Sequence, residues 1–495
     1  MNQVSKQENI AIIGAGICGL CTALALTRAG HQVTIYERDV PPPDGGADEA
    51  FFEWKRRGAA QFRHPHAFLS LMCNILQDNY PDLMEAFWQA GARKVTFEDM
   101  LPDELQASYR PEPGDERLWL LMCRRATIET VLRRYAEQQP GISINNSANV
   151  IGIEAENVDG VIHMQGIRVR QDGEDAIHEA DFFVDAGGRT SRFTEWFSSF
   201  GAEIEIEDDD AEIVYYTRHY QLAPGVEEPP RRGKDRSAGD LGYIKFGVFP
   251  GEDGHFAIIL CVPDDEPELR EAVKDPDRFD AICRSIPGLK PWVGEGMAIP
   301  TTSSFGFGDI HAVWRHFVRD GKPVALNYFA VGDASVRTNP LYGRGCSIGI
   351  MHAHLLADLI NEVQDPWERA LAYDRLTEEE IRPIFKASLS EDRKGIQRAL
   401  AIREGRVLDQ ADSFKSWLGL AFGDAMAAAS RDQLHVIRGV MRTFNLMEKP
   451  GEFLNDWRIR MTLFRYMFKG RTQNARARIV NGPHREEMLA LIQSN

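Results

Sequence analysis

Apolar and polar positions divide the chain into three textures. Between residues 9 and 37 a continuous apolar run, NIAIIGAG, leads into helical spacing from about Gly16 to Arg28, a stop at Gly30, and a second apolar run, QVTIYER. That order predicts a β-α-β unit. Residues 40–60, VPPPDGGADEAFFEWKRRGAA, mix proline, glycine and charge and read as loop. Helical patterns return at 67–90 and 124–138, the second ended by QPG. Three short strands then lead to ADFFVDAGGRTS, a buried strand closing on glycines.

From 211 to 262 the pattern becomes alternation: EIVYYTRHYQL, LGYIKFGVF and HFAIILCVP, the last two joined by PGEDG. Such runs predict an antiparallel sheet. Residues 323–332 return to a core strand and 346–362 to a helix, and from about 365 to 495 the pattern is almost entirely helical. No internal repeat or low-complexity tract interrupts this order. The class expected is α/β, with an inserted antiparallel sheet and a helical C-terminal region.

Length and composition add bounds. A chain of 495 residues, 43% hydrophobic and 26% charged, suits a globular protein of two or three units. Its apolar runs are too short to span a bilayer, and MNQVSKQENI lacks the apolar core of a leader, so a cytoplasmic location is expected. The net charge of −17, from 57 Lys and Arg against 74 Asp and Glu, repels polyanions and argues against nucleic acid as the main partner. Seven cysteines at 18, 21, 73, 123, 261, 283 and 346 are scattered, as reduced thiols are. Cys18 and Cys21 sit in the first glycine turn and its helix, where small packing residues are needed.

That turn carries the first candidate chemistry. Gly14, Gly16 and Gly19 form G-x-G-x-x-G between strand and helix, and Glu37 ends the next strand with Arg38 beside it. The glycines let the backbone approach a pyrophosphate at the helix N-terminus, and the acid accepts ribose hydroxyls. Glu37 also disfavours a 2′-phosphate. A second glycine-rich turn, FAVGDASVRTNPLYGRG at 329–345, holds Gly332, Asp333, Pro340, Gly343 and Gly345. NAD has no need for so distant a Gly-Asp. FAD does, because its ribityl chain and isoalloxazine require separate partners, so FAD is the expected cofactor. Asp333 and Asp185 also have plain structural readings, as a helix N-cap and a turn former.

The glycine fingerprint, VDAGGRTSRFTEW at 184–196 and GDASVRTNPLYGRG at 332–345 fall in the order seen in flavin monooxygenases. The chain resembles those of the para-hydroxybenzoate hydroxylase and squalene epoxidase type. CRRATIETVLRRYA at 123–136 resembles that family's helix carrying an arginine toward the FAD pyrophosphate, which matches Arg125. Within the family the sequence is most similar to the bacterial polyether and polyene epoxidases, whose PQ-x-RH-x-H stretch is echoed by AQFRHPHAF at 60–68. The motif-bearing part runs from about residue 9 to 365. Two departures stand out: Asp185-Ala186-Gly187-Gly188 replaces the usual Asp-Gly, and Val336 stands where many aromatic hydroxylases carry histidine.

The resemblance implies a Rossmann-like FAD-binding domain of glutathione-reductase type over 1–200 and 318–390. It implies a sheet-based substrate domain over 201–317 joined by 61–115, and a helical region over 391–495. It implies a monooxygenase of secondary metabolism that epoxidises or hydroxylates through a flavin C4a-hydroperoxide, with NAD(P)H or a partner flavin reductase as electron source. Arg63, His64 and His66 are then flavin-proximal candidates. As a metal site H-x-H lacks further ligands, and none is expected. Tyr216, Phe246 and Phe249 are the candidates to face an apolar or aromatic substrate.

Two rivals share the cofactor. A flavin-dependent halogenase is marked by W-x-W-x-I-P, and the nearest stretch here, PWVGEGMAIP at 291–300, lacks the paired tryptophans. An FAD-dependent reductase of isoprenoid double bonds would need no oxygen. The stretch 456–480 is basic within an acidic chain and reads first as a solvated helix face paired internally, then as a docking face for an acidic carrier or membrane surface.

Overall fold

The structure, a computed structural model, describes residues 7–494 apart from 231–234, 407–410, 412 and 479. The stretch read for a leader therefore lies, over residues 1–6, outside the described residues, as does Ile479 of the basic stretch.

The first β-α-β unit folds as the pattern predicts: strand Asn9–Ile13, helix Ile17–Arg28, strand Gln32–Tyr36. Gly30, at φ +102°, takes the left-handed turn that ends the helix. Five parallel strands make the sheet, in the order Tyr328–Ala330, Phe182–Asp185, Asn9–Ile13, Gln32–Tyr36, Ile142–Asn145. All four residues of Phe182–Asp185 are buried, because elements cover both faces of a parallel sheet. The register pairs Ile13 with both Tyr36 and Asp185, and Asp185 with Ala330. The turns after these strands therefore emerge side by side at the carboxyl edge, although they lie up to three hundred residues apart in sequence.

Helix Gly345–Glu362 crosses Ile17–Arg28, and Gly349 permits the contact: a Cβ there would lie 2.1 Å from Cys18 Sγ. The alternating region forms a second sheet in which Ile213–Leu222 pairs antiparallel with His255–Pro263, and that strand with Lys245–Pro250. Its outer face packs on helices Pro276–Ser285 and Arg485–Ser494, with Tyr216, Phe246, Ile258, Leu260 and Met488 in one cluster. Its inner face turns toward the parallel sheet's carboxyl edge.

Several local readings differ. Residues 40–60 contain the helix Ala47–Glu53, whose Phe51 packs into a small cluster with Trp54 and Phe62. Of the strands between residues 139 and 181, only Ile142–Asn145 joins the parallel sheet, while Asn149–Val158, Val161–Gln171 and Glu174–Glu179 pair antiparallel in a separate layer that Ala325–Leu326 extends in parallel. Helix Pro366–Arg403 continues through residue 390, carrying Pro383 inside it. Among the described residues no helix is long and apolar enough to cross a membrane.

Candidate functional site

A cavity of about 630 Å³ opens at the carboxyl edge of the parallel sheet and runs to the inner face of the second sheet. Gly14, Gly16, Glu37, Arg38, Arg125, Asp185, Asp333, Pro340, Gly343 and Gly345 all line it, from five separate stretches of chain. Gly19 and Gly332 stand behind the wall. A Cβ on Gly19 would lie 2.0 Å from the Gly14 carbonyl, and one on Gly332, at φ +58°, would lie 2.7 Å from Cys18 Sγ. Their absent side chains bring helix and strand together. Gly16 does the opposite: a Cβ there would meet nothing, which leaves open space above the start of the helix.

The donors around that space fit FAD. Helices Ile17–Arg28 and Gly345–Glu362 both begin at the cavity, and neither has a side-chain cap or an acid in its first turn. Their N-terminal amides and positive dipole ends are thus left for an anionic or electron-rich ligand. Glu37, buried, accepts the Ala15 amide at 2.7 Å and the Asp39 amide at 2.9 Å, and its further lone pairs can take ribose hydroxyls. Thr338 presents a buried hydroxyl to the cavity with no protein partner among the described residues.

The two aspartates divide the roles read for them. Asp185 is fully buried, and its carboxylate accepts from the Gly187 amide at 2.9 Å, the Tyr328 hydroxyl at 3.1 Å and the Ser191 hydroxyl. It forms the turn whose Ala186 carbonyl would lie 2.7 Å from a Cβ on Gly14. Asp333 is not a helix cap, since Arg344 precedes the helix Gly345–Glu362. Its carboxylate takes no hydrogen bond from the described residues, and Oδ1 would lie 3.7 Å from a Cβ on Gly345. Burial pushes the Asp333 carboxyl up, while Arg337 and Arg125 pull it down.

A buried ionic chain links the ends of the cavity. Arg56 NH1 lies 3.3 Å from Glu37 and 3.2 Å from Asp39, and its Nε donates to Glu129 at 3.1 Å. Glu129 also accepts from Arg125 Nε at 2.5 Å. Burial drives the Glu129 carboxyl up, but Arg125 and Arg56 together hold it below its ordinary range. Arg125 NH1 in turn donates to His66 Nε2, and His66 Nδ1 lies 2.8 Å from the His64 carbonyl. A guanidinium only donates and a carbonyl only accepts, so His66 is the neutral Nδ1–H tautomer and both its nitrogens are engaged. Burial and Arg125 hold its pKa well below the usual value.

His64 lines the cavity, with Nδ1 2.9 Å from the Thr217 hydroxyl, and burial brings its pKa down to about 4. Arg63 does not line it: the guanidinium donates to the Phe51 and Phe52 carbonyls at 3.1 and 3.0 Å and lies over the rings of Phe51 and Phe305. Of the aromatic candidates Phe249 faces the cavity, whereas Tyr216 and Phe246 point into the core on the other side of their sheet. The apolar end is built by Tyr215, Ile259, Cys261, Phe307, Ile310 and Leu341. Successive strand residues alternate faces, so Tyr215 and Tyr216 cannot both look inward. Both faces being apolar, the pattern carries no sign of which one faces a ligand. Arg56 and Glu129 had no signal at all, because their pairing is tertiary.

Residues 9–50 match the FAD dependent oxidoreductase family. Protein Rv3254 of Mycobacterium tuberculosis is 24% identical over 379 residues, covering 70% of this chain and 72% of its own. An FAD-dependent monooxygenase of Aspergillus terreus is 22% identical over 382 residues, covering 72% of this chain and 78% of its own. The structure of the flavin-dependent brominase Bmp2 superposes with a TM-score of 0.61 at 15% identity, covering 94% of this chain and 99% of that one. The glycine turn, the cavity it opens and these likenesses agree: this chain is an FAD-dependent oxidoreductase built on the fold shared by flavin monooxygenases and flavin-dependent halogenases.

Proposed function

We propose that the protein is an FAD-dependent monooxygenase that places one atom of dioxygen on an apolar or aromatic small molecule, by epoxidation or hydroxylation. The observation that carries this reading is the continuity of the cavity, which joins a dinucleotide cradle to an apolar chamber. FAD, when bound, supplies the reduction of dioxygen and the oxygen transfer. The protein's part is to bind, orient and exclude water. Gly14, Gly16 and the amides of Ile17–Arg28 receive the pyrophosphate, with Glu37 and Arg38 on the adenosine side. Asp333 accepts from ribityl hydroxyls, and Arg125, held by Glu129 and His66, neutralises phosphate charge. Pro340, Gly343 and Gly345 border the ring end. Neutral His64 offers a hydrogen bond beside it without adding charge, and Tyr215, Phe249, Ile259 and Phe307 hold the substrate's apolar surface.

The domain division belongs to the same proposal: 1–200 with 318–390 for the cofactor, 201–317 with 61–115 for the substrate, and 391–495 as helical cover. Electrons come from NAD(P)H or from a partner flavin reductase. The free cysteines suit a reducing, cytoplasmic setting. Against a halogenase, Trp292 of PWVGEGMAIP is buried in the second sheet's core against Phe256, away from the cavity.

The test is turnover of apolar alkenes and phenols by flavin-loaded protein under labelled dioxygen, with NADH, NADPH or a flavin reductase. One labelled oxygen in the product is expected. A product that forms without oxygen would make the protein a reductase, and one that requires chloride or bromide and contains halogen would make it a halogenase.

A further inference from the structure

Helix Trp457–Phe468 buries Ile459, Leu463 and Tyr466 against the neighbouring helix Phe414–Asp432. On the opposite side, Trp457, Met461, Phe464 and Phe468 are 68%, 46%, 55% and 77% exposed. At 100° per residue these four fall within an arc of about 60°, almost diametrically opposite the buried three. Arg460 borders the ridge on one flank and Arg465 on the other, both exposed and neither in an ion pair among the described residues. The neighbouring helix repeats the composition at its start, with Phe414, Trp417 and Leu418 exposed beside Lys415.

We propose that this ridge docks the protein on an anionic lipid surface, the aromatic side chains entering the headgroup boundary and the arginines pairing with lipid phosphates. Three features favour that occupant. An apolar stripe with Trp and Phe, flanked by basic residues, is the composition of helices that lie in a membrane interface. Positive flanks on a chain of net charge −17 give one face that an anionic surface attracts while the rest is repelled, which orients the molecule. The four side chains of the ridge also stand clear of the protein, each 46% exposed or more. A fluid bilayer accepts them and the second cluster with no matching groove, whereas a second copy would bring arginine against arginine.

Vesicle binding needs no turnover, so this proposal stands or falls apart from the oxygenation reading. The test is co-sedimentation of the full-length protein with phosphatidylcholine vesicles, with and without phosphatidylglycerol. Binding to the anionic vesicles, weakened by salt, is expected. F464S/F468S should bind at least about tenfold more weakly, and R460E/R465E should lose the preference for anionic lipid. Both should keep the wild-type circular dichroism and FAD content. Should the serine variant not fold, the charge variant alone decides. Absence of vesicle binding, or binding unaffected by either variant, overturns the proposal. So does a wild-type dimer that F464S/F468S makes monomeric, or an acidic protein that binds the ridge when vesicles do not.

Discussion

At the scale of single residues the cavity separates groups that address a ligand from groups that hold the wall. Asp333 offers a carboxylate that no described protein donor occupies, so Asp333→Ala should weaken FAD binding by roughly tenfold to a hundredfold, the loss of one charge-assisted hydrogen bond. Titration of the apoprotein with FAD measures it, and unchanged affinity in a folded variant would remove the acid from the site. His64 and His66 both line the cavity, but His66 engages both its nitrogens within the protein and supports Arg125. His66→Ala should therefore lower FAD affinity. His64→Ala should leave FAD bound and raise the peroxide formed per reduced flavin, because a looser wall admits water. Reversed phenotypes would exchange these roles. The two sides of one sheet give a third contrast. Ile259→Phe fills the chamber and should raise the substrate KM at least about tenfold with FAD retained. Tyr216→Ala empties core and should cost about 3–5 kcal/mol of stability in urea unfolding, with KM little changed.

At the scale of elements, the cofactor cradle depends on how closely helix Gly345–Glu362 approaches Ile17–Arg28. Gly349 and Cys18 meet there, with 2.1 Å between a Cβ at Gly349 and Cys18 Sγ. Gly349→Ala should destabilise by about 1–3 kcal/mol, as overpacking does, and weaken FAD binding, since both helix N-termini line its cavity. Because the clash is with the sulfur, Cys18→Ala combined with Gly349→Ala should recover much of the loss. Thermal unfolding of the single and double variants gives the coupling, and strict additivity would place the strain elsewhere.

At the scale of the whole molecule, buried neutral histidines make stability depend on acid. Burial lowers His64 and His219 to about 4 and His352 to about 3. The unfolded chain, with histidines near 6.5, then binds more protons than the folded one below that pH. Stability is thus full above about pH 6.5 and falls as pH drops toward 4, by roughly 1.4 kcal/mol per unit for each such histidine. Asp374, raised to about 6 by burial, opposes this, as do the raised carboxyls of Asp185, Asp333, Glu391 and Asp392, while His66, held well below its usual value, adds to it. The Tm should accordingly fall between pH 7 and pH 5. His352 lies with Nδ1 3.2 Å from the Gly332 amide, so His352→Gln keeps an acceptor but does not titrate, and should flatten the slope. A Tm level across that range would contradict the assignment.

Local order accounts for everything that could be read from the chain alone. The strand, glycine turn, helix and acid of residues 9–37 are contiguous, so the cofactor's adenosine end was legible, and Gly-Asp at 332–333 and Arg125 were legible by their likeness to a family. The rest depends on which groups folding brings together from afar. Parallel register gathers the turns after Ile13, Tyr36, Asp185 and Ala330 at one sheet edge. Arg56 meets Glu37, Asp39 and Glu129 from a stretch that reads as loop. Tyr215, not Tyr216, faces the chamber, because a strand with two apolar faces leaves its orientation to whatever packs on each side. Arg63 turns from the cavity to the carbonyls of Phe51 and Phe52, within a helix that the pattern of proline, glycine and charge concealed.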